Sequence, residues 1–171
     1  MRDNIVLVGF MATGKTAVGK ALAKKLGMKY VSTDDLVEKR SGMKISKIFE
    51  RFGEKHFRNL ETQALQSIKR KKNIILSCGG GIVIKPRNLK LLKSLGTVIW
   101  LKADPETVDS RLGDIKKRPL LNIADKGGRI AAIRKMLRSR SKYYKNASNT
   151  SINTSGFNIP KIVHKIISLI S

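Results

Sequence analysis

The stretch "NIVLVGFMATGKT", residues 4–16, decides the fold. Its first five residues form an apolar, mostly β-branched run of strand length, and "TAVGKALAKKLG" (16–27) continues at helical spacing until Gly27 ends it. Between them, residues 9–16 satisfy G-x-x-x-x-G-K-[S/T]. A loop of this kind between a strand and a helix binds phosphate. Its glycines let backbone N–H groups curl around the anion, and the helix adds the positive end of its dipole. Gly9, Ala12, Thr13, Gly14, Lys15, Thr16 and Ala17 are therefore the candidate nucleotide contacts. Lys15 would reach the β- and γ-phosphates, and the Thr16 hydroxyl would ligate Mg²⁺. A glycine turn that merely precedes a helix is the bland alternative, and the flanking strand and helix argue against it. The loop alone does not separate a kinase from a GTPase, a helicase or a nucleotide-binding module.

Working outward, strands and helices alternate. "MKYVS" (28–32) has strand character, and Ser32 or Thr33 can cap a helix that stops at Ser41-Gly42. The spacing predicts helices over 44–51 and about 54–70. "NIILS" (73–77) and "TVIWL" (97–101) are continuous apolar strands of the kind buried on both faces of a parallel sheet. "GDIKKRPLLNIADKGG" (113–128) lacks apolar periodicity and reads as a loop of mobile type. A helix over about 128–145, a strand near 150–154 and an amphipathic helix over about 158–170 complete the pattern. The alternation predicts one α/β domain over 1–171 with a parallel sheet.

Composition bounds the function. The 171 residues, 41% hydrophobic, suit one core-bearing domain, and no run approaches the roughly 18 consecutive apolar residues of a membrane span. "MRDNIVLVGF" shows no signal-peptide pattern, so we expect a cytoplasmic protein without membrane association. The single cysteine, Cys78, excludes an internal disulfide and a multi-cysteine zinc site. Thirty-six Lys and Arg against 12 Asp and Glu give +24, which keeps a polyanion among the conceivable partners. The basic residues are spread along the chain rather than gathered in a tail. That favours a solvated lysine-rich surface and no more than weak, nonspecific nucleic-acid binding.

Residues facing an acceptor should be charges that break apolar faces. On the helix over 54–70, Phe57, Leu60, Ala64, Leu65 and Ile68 mark an inward stripe, and Glu61 lies within it. A carboxylate there is costly unless paired, and Arg58, one turn earlier, is the nearest candidate partner. On the later helix Arg140 falls on the side of Ile133, Met136, Leu137 and Tyr144, where it either snorkels outward or faces a pocket. "CGGG" (78–81) follows a buried strand at its carboxyl end, where open α/β sheets bind ligands, so Gly79, Gly80 and Gly81 could permit close approach. Asp34, also at a carboxyl end, either starts a helix or accepts a substrate hydroxyl's proton. Two arginines for a carboxylate and one aspartate for an alcohol suggest an anionic acceptor with hydroxyls.

At this point the chain resembles the shikimate kinases, through "GFMATGKT", "TDDLVEKRSGMKISKIFERFGEKHFRNLE", "ILSCGGG", "KKRPLL" and "RSKYYKNA". The run I-F-E-x-x-G-E-x-x-F-R-x-x-E is the most specific. The resemblance implies a three-layer α/β/α P-loop kinase fold with about five parallel strands, a shikimate-binding region over about 32–61 and a mobile lid over about 112–126. It implies ATP-dependent phosphorylation of the shikimate 3-hydroxyl, a step toward chorismate and the aromatic amino acids, with Mg²⁺ as cofactor. Asp34 matches the candidate general base, Arg58 the carboxylate ligand, Glu61 the residue that positions it, and Gly79, Gly80, Gly81 and Arg140 further pocket residues. Arg118 matches the lid arginine that reaches the transferred phosphate, Arg111 an arginine that stacks on adenine, and Ser77 a position near the magnesium.

Two departures stand out. Ser32-Thr33-Asp34 occupies the place of the family's Asp-x-Asp, so Ser32 brings no charge to the magnesium's water shell. "RSKYY" (140–144) lacks the proline of R-x-P-x-Y, which supplies no chemistry. We expect a monomer with ATP and shikimate as its partners. The alternatives are a gluconate-type P-loop kinase, disfavoured by Arg58, Arg140 and the triple glycine, and a non-catalytic nucleotide-binding protein with a nucleic-acid partner.

Overall fold

The computed structural model describes residues 3–113, 121, 123 and 125–170. Five parallel strands form one sheet in the order β2-β3-β1-β4-β5. They are β1 (Asn4–Val8), β2 (Lys29–Ser32), β3 (Ile74–Ser77), β4 (Gly96–Lys102) and β5 (Thr150–Asn153). Every residue of β1 and β3 is buried, as their unbroken apolar runs require of strands covered on both faces. Side-chain alternation sorts the strands into two cores. Ile5, Leu7, Ile75, Ile99 and Leu101 pack against α1 (Lys15–Leu26) and α7 (Ile159–Ile170). Val6, Val8, Leu76 and Val98 pack against α3 (Ile45–Ser67), α4 (Pro86–Leu95) and α6 (Lys126–Ala147). The result is the expected α/β/α sandwich.

The remaining elements are α2 (Thr33–Ser41) and α5 (Pro105–Arg111), with a 3-10 turn at Ile82–Ile84. Helices predicted over 44–51 and 54–70 are the two parts of α3, separated at Gly53, whose φ of 74° and ψ of 176° break the helical path. The helix predicted from about 128 begins at Lys126, because the Asp125 carboxylate caps it by accepting from the Gly128 N–H at 2.5 Å. At the foot of the sheet Asn4 is 2% exposed yet satisfied: its Nδ2 donates to the Lys71 and Leu95 carbonyls, each at 2.8 Å, and its Oδ1 accepts from the Ile74 N–H at 3.1 Å.

From β1 the chain turns to one side for β2 and β3 and to the other for β4 and β5. Its carboxyl end is therefore the switch point at which open α/β sheets bind ligands. No helix among the described residues is long and apolar enough to cross a membrane.

Candidate active site

The phosphate loop leaves β1 at Gly9, where a Cβ would collide with the Leu101 carbonyl oxygen. Ala12 (φ 59°) and Gly14 (φ 91°) then curl the loop into the first turn of α1. Thr13 is buried and its hydroxyl donates to the Phe10 carbonyl at 2.8 Å. Lys15 is 8% exposed, and its Nζ donates to the same carbonyl at 2.6 Å, so the ammonium spans the mouth of the loop. Thr16 and Ala17 face outward on the first turn.

A strut that sequence reasoning missed fixes the loop's far side. Thr154, fully buried, lies with its hydroxyl 3.1 Å from the Thr13 carbonyl and 3.0 Å from that of Lys102. Arg111 donates to the Thr154 hydroxyl at 3.2 Å and to its carbonyl at 3.1 Å, which holds this exposed arginine beside the loop.

Next to the loop opens a cavity of about 810 Å³ lined by Asp34, Arg58, Glu61, Gly79, Gly80, Gly81 and Arg140, together with Met11 of the loop itself. The candidates named from sequence thus converge from α2, α3, β3 and α6. Arg58 is gripped twice: its Nη1 donates to Glu61 Oε2 at 2.7 Å, and its Nη2 donates to Glu54 Oε1 at 2.8 Å. The Glu61 side chain is 0% exposed, whereas that of Glu54 is 50% exposed. Burial pushes the Glu61 carboxyl up to about 7, although the Arg58 guanidinium pulls it down and Asp34 pushes it up further. The Glu54 contact was legible in the i,i+4 spacing and was overlooked. Arg140 sits over the Phe10 ring at 5.5 Å and faces the cavity rather than snorkelling away.

The triple glycine makes room for protein atoms. A Cβ on Gly81 would stand 2.5 Å from Cζ and Nη1 of Arg58, and one on Gly79 would stand 2.7 Å from both Asp34 Oδ1 and Glu61 Oε1. Gly80 lies against the phosphate loop, where a Cβ would come 3.2 Å from the Met11 nitrogen. None of the three has positive φ, so close approach and not turn geometry requires them. Two buried anchors hold this segment: the Gly79 N–H donates to the Thr33 hydroxyl at 2.8 Å, and the Tyr144 hydroxyl donates to the Gly80 carbonyl. Burial pushes the Tyr144 phenol well above its ordinary value.

Oxygen ligands for a hard cation are present. The outward Thr16 hydroxyl shares this end of the sheet with Ser32 and Ser77, which pair in register at the carboxyl ends of β2 and β3. Ser32 also caps α2, accepting from the Asp35 N–H at 3.2 Å. Among the described residues no three His, Cys, Asp or Glu side chains gather as a metal cluster. Of the segment expected as a lid, residues 114–120, 122 and 124 lie outside the described residues, Arg118 among them. Leu112 and Leu121, toward its two ends, are buried with Phe10, Val108 and Ile133.

A family model described as shikimate kinase matches residues 11–171. The chain belongs to the shikimate kinase family. Among relatives of this family, the shikimate kinase of Thermodesulfovibrio yellowstonii is 41% identical over 164 residues, covering 96% of this chain and 92% of the other. That of Caldicellulosiruptor bescii is 42% identical over 166 residues, with 97% and 94% covered. The fold agrees closely with the shikimate kinase from Acinetobacter baumannii in complex with shikimate: TM-score 0.91, 34% identity, 98% of this chain and 92% of that one. Family members are ATP-dependent kinases that use a divalent metal.

Proposed function

We propose that this chain transfers the γ-phosphoryl group of ATP to the 3-hydroxyl of shikimate, giving shikimate 3-phosphate and ADP. The observation that carries the reading is the shared wall between the two sites. Gly80 rests on the phosphate loop, and Met11 of that loop lines the cavity that holds Asp34, Arg58 and Arg140. An acceptor whose carboxylate is anchored on Arg58 and Arg140 would present a hydroxyl toward Asp34 and the γ-phosphate at once.

The acceptor oxygen bonds to the γ-phosphorus as the bond from that phosphorus to the β,γ-bridging oxygen breaks, and the hydroxyl proton passes to an Asp34 carboxylate oxygen. Lys15 moves from the Phe10 carbonyl to the β- and γ-phosphates, where its charge offsets what develops on the leaving oxygen. Arg118, on the resemblance alone, would add a second cation there, and Arg111, held at the edge of the loop, is placed to cover adenine. A divalent metal, which we take to be Mg²⁺, would neutralise phosphate charge when bound, with Thr16 as ligand and Ser77 and Ser32 nearby through water. Every proposed contact comes from one chain, so a monomer suffices, and we take the protein to be cytoplasmic.

The test separates donor from acceptor. Arg58→Ala should lower kcat/KM for shikimate by on the order of 2–4 kcal/mol, because a buried charged contact is lost, while ATP binding measured by calorimetry barely moves. Lys15→Ala should cripple phosphoryl transfer whatever the acceptor. Unchanged KM for shikimate in Arg58→Ala would place the acceptor elsewhere.

A further inference from the structure

The Arg58 guanidinium already carries two protein carboxylates before any substrate carboxylate arrives. Its Nη1 is committed to Glu61, and its Nε and Nη2 are committed to Glu54 at 3.2 and 2.8 Å. Besides Glu38 and Lys44, which pair with each other at 2.7 Å, three carboxyls (Asp34, Glu54, Glu61) line the cavity against two guanidiniums (Arg58, Arg140), and an anionic acceptor makes four against two. The two partners of Arg58 can respond in different ways. Glu54 is half exposed, and it can swing into water and free the edge of the guanidinium. Glu61 is 0% exposed and held beneath the segment of Gly79, so it has no water to retreat into. Its Oε1 is buried without a hydrogen-bond partner among the described residues and points to the spot above Gly79 that Asp34 Oδ1 also approaches. An added negative charge in such a place is relieved most readily by a proton.

We infer that Glu61 takes up a proton when the anionic acceptor binds, and so acts as a positioning residue that keeps Arg58 in place while surrendering its own charge to the substrate carboxylate. This rests on the acceptor reading above. The groups around Glu61 agree with it. Arg58 and Glu54 on α3 and Asp34 on α2 act on its charge directly, while Cys78 after β3 and Tyr144 on α6, with Arg140 beside it, sense the same carboxylate. Burial, with Asp34 and Glu54 adding to it and Arg58 opposing it, brings Glu61 to about 7, so a further push falls where the proton can be counted. Once protonated on Oε1, Glu61 gains an O–H that can donate to Asp34 or to the substrate, satisfying an atom that otherwise has no partner among the described residues, while Oε2 keeps accepting from Arg58.

Isothermal titration calorimetry with shikimate, repeated at pH 7 in buffers of different ionisation enthalpy, reads the proton directly. We expect an uptake of roughly half a proton per shikimate bound at pH 7, near zero at pH 5 where Glu61 is already neutral, and abolished in Glu61→Gln. The KM for shikimate should rise with pH above about 7 in the natural chain, while the glutamine variant's KM stays flat. His56→Gln and His164→Gln, which change two exposed rings, should each keep the uptake and so exclude histidine as the acceptor. Binding heat independent of buffer at every pH overturns the inference and leaves the acceptor reading standing; absence of shikimate binding overturns both. Should Glu61→Gln fail to fold, the pH dependence of uptake in the natural chain decides alone, because uptake persisting undiminished at pH 5 contradicts a Glu61 origin.

Discussion

Gly81→Ala is the most incisive perturbation of the acceptor site, because it replaces no charged group and yet moves one. The new Cβ would stand 2.5 Å from Cζ and Nη1 of Arg58, against about 3.4 Å for an ordinary contact, so the guanidinium must shift by close to 1 Å. It cannot shift freely, since its Nη1 is tied to the buried Glu61 at 2.7 Å and its Nη2 to Glu54 at 2.8 Å. A misplacement of that size at a substrate-orienting group costs up to about 10²-fold, or roughly 2.7 kcal/mol. We expect kcat/KM for shikimate to fall by about 30–100-fold in a coupled ADP-release assay, with KM for ATP unchanged. Crowding should also cost about 1–3 kcal/mol of stability, visible as a Tm lowered by several degrees without loss of the folded state. A variant within about threefold of the natural chain in kcat/KM for shikimate would mean that Arg58 does not orient the substrate. A loss shared equally by ATP would mean that the glycine serves the phosphate loop instead.

Asp34→Asn preserves shape and removes the base, so shikimate KM should change little while kcat drops by about 10²-fold or more; full turnover would remove Asp34 from the chemistry. Ser32→Asp keeps the α2 cap and adds a charge near the proposed metal, so Mg²⁺ should activate at lower concentration; an identical activation curve would place Ser32 away from the metal. The Glu61 carboxyl, raised from its ordinary value to about 7, makes stability depend on pH. At pH below about 4.5 both native and unfolded states hold the proton and the contribution is intact; as pH climbs to about 7 the unfolded chain ionises first, and on the order of 3 kcal/mol is lost. Urea unfolding at pH 5 and pH 8 should show this loss in the natural chain and much less of it in Glu61→Gln; equal losses in both would refute it.

The parts legible from sequence are those whose chemistry is local. Lys15 and Thr16 follow from an eight-residue spacing, and Arg58 with Glu61 from a charged pair breaking one helical stripe, which the structure joins at 2.7 Å. The doubly buried strands β1 and β3 follow from unbroken apolar runs, and the register of five parallel strands then places the carboxyl ends together. What stayed hidden depends on residues that only folding brings together. Tyr144 reaches Gly80 across 64 positions, Thr33 reaches Gly79 across 46, and Thr154 reaches Thr13 across 141. No periodicity marks a buried threonine as a strut. The glycines at 79–81 signalled close approach, but the atoms that fill the space, the Asp34 and Glu61 carboxyls and the Arg58 guanidinium, are supplied by other elements. Ser32 shows a different limit, since one hydroxyl can cap a helix and stand near a metal, and sequence alone cannot rank the two.

The central claim is that the cavity beside the phosphate loop delivers one hydroxyl of one acceptor to ATP. Phosphorus NMR of a reaction containing ATP, Mg²⁺ and shikimate, run beside reactions offering quinate or gluconate, tests it most directly. The account predicts a single new phosphomonoester resonance, shikimate 3-phosphate, growing in step with ADP, and no phosphorylated product from gluconate. ADP accompanied only by inorganic phosphate, or equal phosphorylation of gluconate, would contradict it.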